Sequence, residues 1–238
     1  MATPTEPLPE DFVPLSKLPH FDPREVPVTG IDSHLPAVAL EALGPAALRA
    51  RFASPPQWEP ELRFEPRFAD RPAAQASVLV AIVMRDAPTI LLTERTTHLS
   101  THSGQVAFPG GKRDDTDRDA THTALREAQE EIGLEPSRVQ VLGSLPTYTT
   151  GTRFIVTPVI SLVDPSHEIK ANPHEVADVF EVPLSFLMNP AHHRRHMIEF
   201  GGIRREWFSM PYMDGNTQRF IWGATAGMLR NLYRFLAA

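Results

Sequence analysis

The stretch ALREAQEEIG, residues 124–133, constrains the chain more than any other, because it reads as a helix framed at both ends. Leu125, Ala128 and Ile132 fall at i, i+3 and i+7, a stripe suited to packing on a sheet. Asp117 or Asp119 suits the start, where a short acidic side chain caps free N–H groups. Gly133 supplies a left-handed stop and Pro136 prevents resumption. On another face Glu127, Glu130 and Glu131 stand within about one turn, where each like pair weakens an isolated helix by some tenths of a kcal/mol. Such a trio calls for compensation. A hard divalent cation supplies it, since Mg²⁺ and Mn²⁺ take carboxylate oxygen and complete their shells with water and phosphate. Arg126, four residues before Glu130, is spaced to orient or partly neutralise one carboxylate. Ahead of the helix lies FPGGK, in which Gly110 and Gly111 permit close backbone approach to a phosphate or to the floor of a metal site.

The surrounding pattern mixes strands and helices. ASVLVAIVM, from Ala76, is an apolar β-branched run suited to a strand covered on both faces, and TILLTER follows the turn-like RDAP, so the two read as a hairpin. QVAF, VQVLGSL and FIVTPVISLV read as further strands, and VADVFEVPLSFL as a strand with a helix start after Pro183. The closing FIWGATAGMLRNLYRFL repeats Ile221, Ala224, Met228, Leu229, Leu232 and Leu236 near helical spacing. Strands and helices alternate irregularly, which predicts an α+β fold or an α/β/α sandwich.

Fourteen of the 24 prolines fall within residues 1–72, so that segment is not mostly helix. A short helical pattern over Leu35–Phe52 interrupts it. The expectation is an N-terminal extension over residues 1–72 that wraps the domain or mediates self-association, followed by the domain proper at residues 73–238. With 42% apolar and 22% charged residues the composition is that of a globular protein. A formal charge of −6 argues against coating a nucleic acid. The absence of cysteine removes disulfides, thiolate nucleophiles and Cys-based zinc sites. No window approaches a membrane span and the start lacks a basic, apolar leader, so a cytoplasmic protein without membrane contact is expected.

The glycine loop and acidic helix together resemble the Nudix hydrolase box, a glycine followed by R-E-x-x-E-E-x-G and a hydrophobic residue, matched by Arg126, Glu127, Glu130, Glu131, Gly133 and Leu134. The resemblance implies a Nudix-type α/β/α sandwich with a mixed sheet and a loop-helix-loop motif, in which the glutamates bind Mg²⁺ or Mn²⁺ and a diphosphate linkage is cleaved by water. Gly111 lies one position farther from the arginine than in the standard box, and the standard loop glutamate is missing, with Asp115 or Asp117 in its neighbourhood. The lengthened box resembles the coenzyme A pyrophosphatase subfamily. Its upstream signature is matched in LLTERTTHLSTHSGQVAFPGG by Leu91, Leu92, Thr93, Arg95, Gly104, Phe108, Pro109, Gly110 and Gly111. Thr96 replaces a serine, and Ser100 stands where many relatives carry arginine. The resemblance spans residues 76–236.

It implies hydrolysis of coenzyme A or acyl-coenzyme A to 3′,5′-ADP and (acyl-)4′-phosphopantetheine. Glu127, Glu130 and Glu131 would be the metal ligands, with Arg126 in the catalytic group. Glu175 in NPHEVADVF is a candidate for an additional catalytic carboxylate, and Arg95, Lys112 and Arg113 are candidates for phosphate contacts beside the two glycines. A small-molecule nucleoside diphosphate is the implied partner, and a homodimer is the assembly that analogy offers. HHRRH, His192–His196, reads as exposed basic surface, and Trp222 and Tyr233 as core or interface. Two other functions compete. One keeps the chemistry on another conjugate such as NADH or ADP-ribose, with Ser100 in its favour. The other is a non-catalytic ligand sensor, against which the three intact glutamates speak.

Overall fold

The computed structural model describes residues 21–65, 72–96, 104–200 and 203–238. Two strands, β2 (Ala74–Val83) and β8 (Phe154–Val163), form its centre and run parallel from Ala74 opposite Phe154 to Val83 opposite Val163. Both are covered on two faces, which is why their sequences are apolar at successive positions. Leu79, Ala81, Val83, Val159 and Val163 face α2 (Ala120–Ile132), where Ala124, Ala128 and Ile132 meet them. Val80, Ile82, Ile160 and Leu162 face the opposite way, into a larger core shared with Leu229, Leu232 and Leu236 of α4 (Gly223–Ala237). One sheet thus lies between two helical layers, the α/β/α arrangement expected.

Around this pair the sheet is antiparallel and hence mixed. β3 (Thr89–Arg95) forms the expected hairpin with β2 and also pairs with β9 (Val176–Pro183) and the short β4 (Val106–Ala107). β5 (Gly110–Lys112) pairs with the start of β2, while β6 (Val139–Ser144) and β7 (Tyr148–Thr149) line the outer side of β8. After β9 the chain makes one helical turn, α3 (Leu184–Leu187).

A second, antiparallel sheet has the order β1 (Val28–Ile31), β10 (Arg194–Phe200), β11 (Ile203–Asp214), β12 (Thr217–Trp222). It corrects two expectations. The closing helical pattern begins too early: Ile221 belongs to β12, and Trp222 is still extended where α4 starts at Gly223. HHRRH is not an exposed basic surface, because two of its histidines find hydrogen-bond partners inside the fold. His193 and His196 are buried, whereas Arg194 is exposed. The Nε2–H of His193 donates to the Leu187 carbonyl at 2.8 Å, and Nδ1 accepts from Arg230 at 3.1 Å. Burial pushes the His193 imidazole down to about 4, so it is neutral.

The helical pattern over Leu35–Phe52 is also corrected. It resolves into a 3₁₀ turn at Leu40–Leu43 and α1 at Pro45–Ala53, with Gly44 extended between them (ψ 158°). Proline at the first helical position removes the α region from its predecessor, so the run cannot be continuous. Val38, Leu43 and Leu48 enter the larger core. Tyr233 is fully buried and its hydroxyl donates to the Pro36 carbonyl, and Trp222 is half-buried against Phe21. No helix among the described residues is long and apolar enough to cross a membrane.

Candidate active site

The double glycine sits under the acidic helix. β5 places Gly110 opposite Val78 and Gly111 opposite Ser77, and α2 crosses above it. The helix starts at Asp119, whose carboxylate accepts from the His122 amide at 2.8 Å, and ends at Gly133 in the left-handed region (φ 70°). The two glycines are needed for different reasons. A Cβ on Gly110 would lie 2.4 Å from the Ser77 carbonyl oxygen and 2.6 Å from the Val78 Cα, whereas one on Gly111 would lie 2.5 Å from the Glu127 carboxylate. One collision is with backbone and the other with the end of a flexible side chain. Gly110→Ala is therefore expected to lower stability by about 3 kcal/mol, toward the upper end of overpacking costs. Gly111→Ala is expected to unfold near the wild-type temperature and to lose turnover about tenfold or more, because Glu127 must swing away. Thermal unfolding and initial rates on the two variants check the split; equal losses in both would contradict it.

Glu131 is the buried member of the helix face, its side chain 6% exposed. Its Oε2 accepts from the Gly110 amide at 3.0 Å, and Oε1 lies 3.9 Å from an Arg95 guanidinium nitrogen. Burial pushes the carboxyl up to about 7, against the lowering effects of the Gly110 amide and Arg95. Glu127, one turn earlier, is also raised by burial, with Arg126 opposing and Glu130 and Glu175 adding to the rise. Glu130 points outward, 57% exposed, and accepts from Arg126 at 2.9 Å. The fan of contacts around Arg126 is the strut of the site: it pairs with Glu127 at 3.0 Å and reaches Asp117 through two bonds of 3.0 and 2.8 Å. Those hydrogen bonds hold the buried Asp117 carboxyl well below the usual carboxylate range. Of the two loop acids, Asp117 is thus the one locked to the helix.

The other named residues surround this cluster. Glu175 is exposed, and its loop is tied to the end of β3 by the Thr96 amide, which donates to the Glu175 carbonyl at 3.1 Å. Lys112 is exposed at the end of β5. Arg113 spends its guanidinium on the backbone carbonyls of Asp117 and Arg118. A cleft of about 230 Å³ opens among Lys112, Arg113, Asp114, Asp115, Arg126 and Glu127. A neighbouring one of about 250 Å³ adds Gln75, which carried no signal in the sequence. Ser100 lies outside the described residues.

Among the described residues no three carboxylates or imidazoles converge as a ready-made metal centre. Two oxygen donors one turn apart nevertheless fit a small hard cation, which binds through one or two carboxylates and takes its remaining ligands from water and substrate phosphate. The pair Glu127 and Glu131 meets that requirement: both are pressed toward protonation by burial, and Glu127 has no room for a side chain beneath it.

The NUDIX domain model matches residues 74–200. The uncharacterized Nudix hydrolase NudL of Escherichia coli K12 is 44% identical over 159 residues, covering 66% of this chain and 80% of the relative. NudL of Shigella boydii serotype 4 has the same identity and coverage. Among solved structures, a Caenorhabditis elegans Ap4A hydrolase binary complex is similar over 50% of this chain and 86% of its own, with 18% identity and a TM-score of 0.41. The matched span holds the glycine strand and the acidic helix together, and the bacterial relatives agree with it over most of their own length: the chain belongs to the Nudix hydrolase family.

Proposed function

We propose that the protein hydrolyses the diphosphate bond of coenzyme A or acyl-coenzyme A, with Mg²⁺ or Mn²⁺, releasing 3′,5′-ADP and (acyl-)4′-phosphopantetheine. Nudix hydrolases act in general on small nucleoside diphosphate substrates and use divalent ions. The observation that carries the narrower reading is the meeting of Arg95 and Glu131 at 3.9 Å. It joins the upstream stretch, which resembles the coenzyme A subfamily signature, to the acidic helix. Phe108 of the same stretch is buried, and Gly104 takes the left-handed φ of 68°.

Glu127 and Glu131 would hold the cation, which lowers the pKa of water and offsets charge on phosphoryl oxygens. Arg126 fixes Glu127 and is itself fixed by Asp117. Glu175, whose charge adds to the upward shift of both Glu127 and Glu131, would receive the proton of the attacking water. Lys112, beside the cleft, offers an ammonium to the phosphates, while Arg113 holds the loop. As water adds to one phosphorus, the bridging P–O bond breaks and the leaving phosphate oxygen carries away the charge. Glu130 turns outward onto Arg126 and would steady that arginine, leaving the cation to the other two glutamates.

The test is product analysis with Mg²⁺ on coenzyme A, acetyl-coenzyme A, NADH and ADP-ribose. Release of 3′,5′-ADP from the first two at rates at least about tenfold above the others is the expected result, a preference of the size one set of pocket contacts supplies. Faster cleavage of NADH or ADP-ribose overturns the coenzyme A assignment, and no cleavage of any overturns the catalytic reading.

A further inference from the structure

We propose that Phe64 and Ile155 form a shelf that stacks the base at the nucleoside end of the substrate, a deepening that rests on the diphosphatase reading. Phe64 is 72% exposed, more than any other large apolar side chain among the described residues. It is not a loose surface group. The Glu65 amide donates to the Thr149 carbonyl at 2.8 Å and the Thr149 amide to the Arg63 carbonyl at 2.9 Å, so Phe64 is bridged in parallel register to β7. The Glu65 carboxylate locks the same spot from the other face, accepting from the Tyr148 hydroxyl at 3.2 Å and the Gly151 amide at 2.9 Å.

Register shows which face Phe64 presents. Directly paired residues share a face, and alternate residues along a strand return to it. Gly111 faces Glu127 and is opposite Ser77; two residues back, Gln75 is opposite Ile155, Ile155 is opposite Thr149, and Thr149 is bridged to Phe64. Gln75, Ile155, Thr149 and Phe64 therefore extend the face on which the acidic helix sits. The helix covers this face from Leu79 onward, with Val159 and Val163 beside it, whereas Ile155 enters neither core cluster. Along this strip Gln75 and Phe64 are exposed and Thr149 and Ile155 half-buried, and it begins at the cleft lined by Gln75, Lys112, Arg113, Asp114 and Asp115. Four interstrand steps separate Gly111 from Phe64, roughly 19 Å at ordinary spacing, a span suited to a ligand whose phosphates lie at the cleft and whose ring lies farther out. Lys112 at the cleft, beside Asp114 and Asp115, followed by an apolar, hydrogen-bonding strip matches a nucleoside diphosphate in that order.

Two measurements on wild type, Phe64→Ala and Phe64→Trp test the shelf, with thermal unfolding as a control on the fold. Calorimetric binding of ADP is expected to weaken about 10- to 100-fold in Phe64→Ala, the range of a single base-aromatic stack, and to return in Phe64→Trp. For whichever conjugate the wild type hydrolyses, KM is expected to rise by the same factor while kcat stays within about twofold, as for an interaction made equally in ground and transition states. Unchanged ADP affinity in Phe64→Ala, or no ADP binding by wild type, overturns the shelf. Absent hydrolysis with normal ADP binding instead overturns the diphosphatase reading and leaves the shelf supported.

Discussion

Glu131→Gln is expected to lower turnover roughly a hundred- to a thousandfold, the scale of losing one preorganised charged group at a reacting phosphate, while the fold is kept or made more stable. Glutamine has the same shape, and its side-chain oxygen can still accept from the Gly110 amide that Glu131 holds at 3.0 Å. What it lacks is charge. That charge is costly in the fold: burial raises the carboxyl to about 7, and the Arg95 guanidinium, at 3.9 Å, only partly offsets it. A carboxyl buried at the expense of stability, with its ionisation pushed up to about 7, is the pattern of a group kept for a ligand. The same variant separates metal binding from chemistry. A divalent ion that binds only the folded state raises the unfolding temperature by mass action, so Mn²⁺ is expected to stabilise wild type and to stabilise Glu131→Gln much less. Retained turnover in the variant, or equal stabilisation by Mn²⁺, would remove Glu131 from the cation site.

The parts of the fold legible in the sequence are those fixed by local pattern. The acidic helix announced itself because Asp119, Gly133 and the stripe at Leu125, Ala128 and Ile132 are all local signals, and it spans Ala120–Ile132. The central strands were legible because both their faces are buried, which makes the sequence apolar without interruption. The sheet of β1, β10, β11 and β12 was not legible. Its strands carry Arg195, His196, Arg205 and Arg219 among the apolar residues. A charged residue enters an interior only with partners, and several of these lie far along the chain. Arg219, 9% exposed, is held by Glu94, Asp178 and Asp214 and lies over the Phe180 ring. His193 is buried because Leu187 and Arg230 satisfy its ring nitrogens. At the site the division is similar. Spacing brought Glu127 and Glu131 to one face and set Arg126 four residues before Glu130, the pair that forms at 2.9 Å, but nothing local chose Asp117 over Asp115 as the anchor of that arginine.

Arg230→Met is expected to cost about 3 kcal/mol of stability at neutral pH, the lower end of what breaking a buried ion pair costs. Arg230 leaves α4 fully buried and pairs with Asp32 at 2.8 Å and Glu61 at 2.8 Å, while its Nη1 donates to His193. Arg195 binds the same two carboxylates, at 2.8 and 3.0 Å, and Arg234 approaches Glu61 at 3.7 Å, so three cations face two anions. Removing Arg230 leaves the buried Asp32 to Arg195 alone and Glu61 to Arg195 and the more distant Arg234. Retention of Arg195 and the 25% exposure of the Glu61 side chain set the cost at the lower end. The pH dependence has a definite sign. Burial alone would raise Asp32 and Glu61, but the guanidiniums more than offset it and both carboxyls lie below their ordinary values of 3.8 and 4.5. Their stabilisation is thus complete above those values and is lost as pH falls through the depressed native ones. The gap between wild type and Arg230→Met, read from urea unfolding, should narrow from neutral pH to about pH 3; a constant gap would assign the loss to packing against the Phe208 and Tyr233 rings, which the guanidinium also touches. Because Glu61 lies three residues before Phe64, loosening this anchor also frees the proposed shelf. Arg230→Met should therefore raise KM more than it lowers kcat, although Arg230 is buried far from the glycine strand in the opposite helical layer.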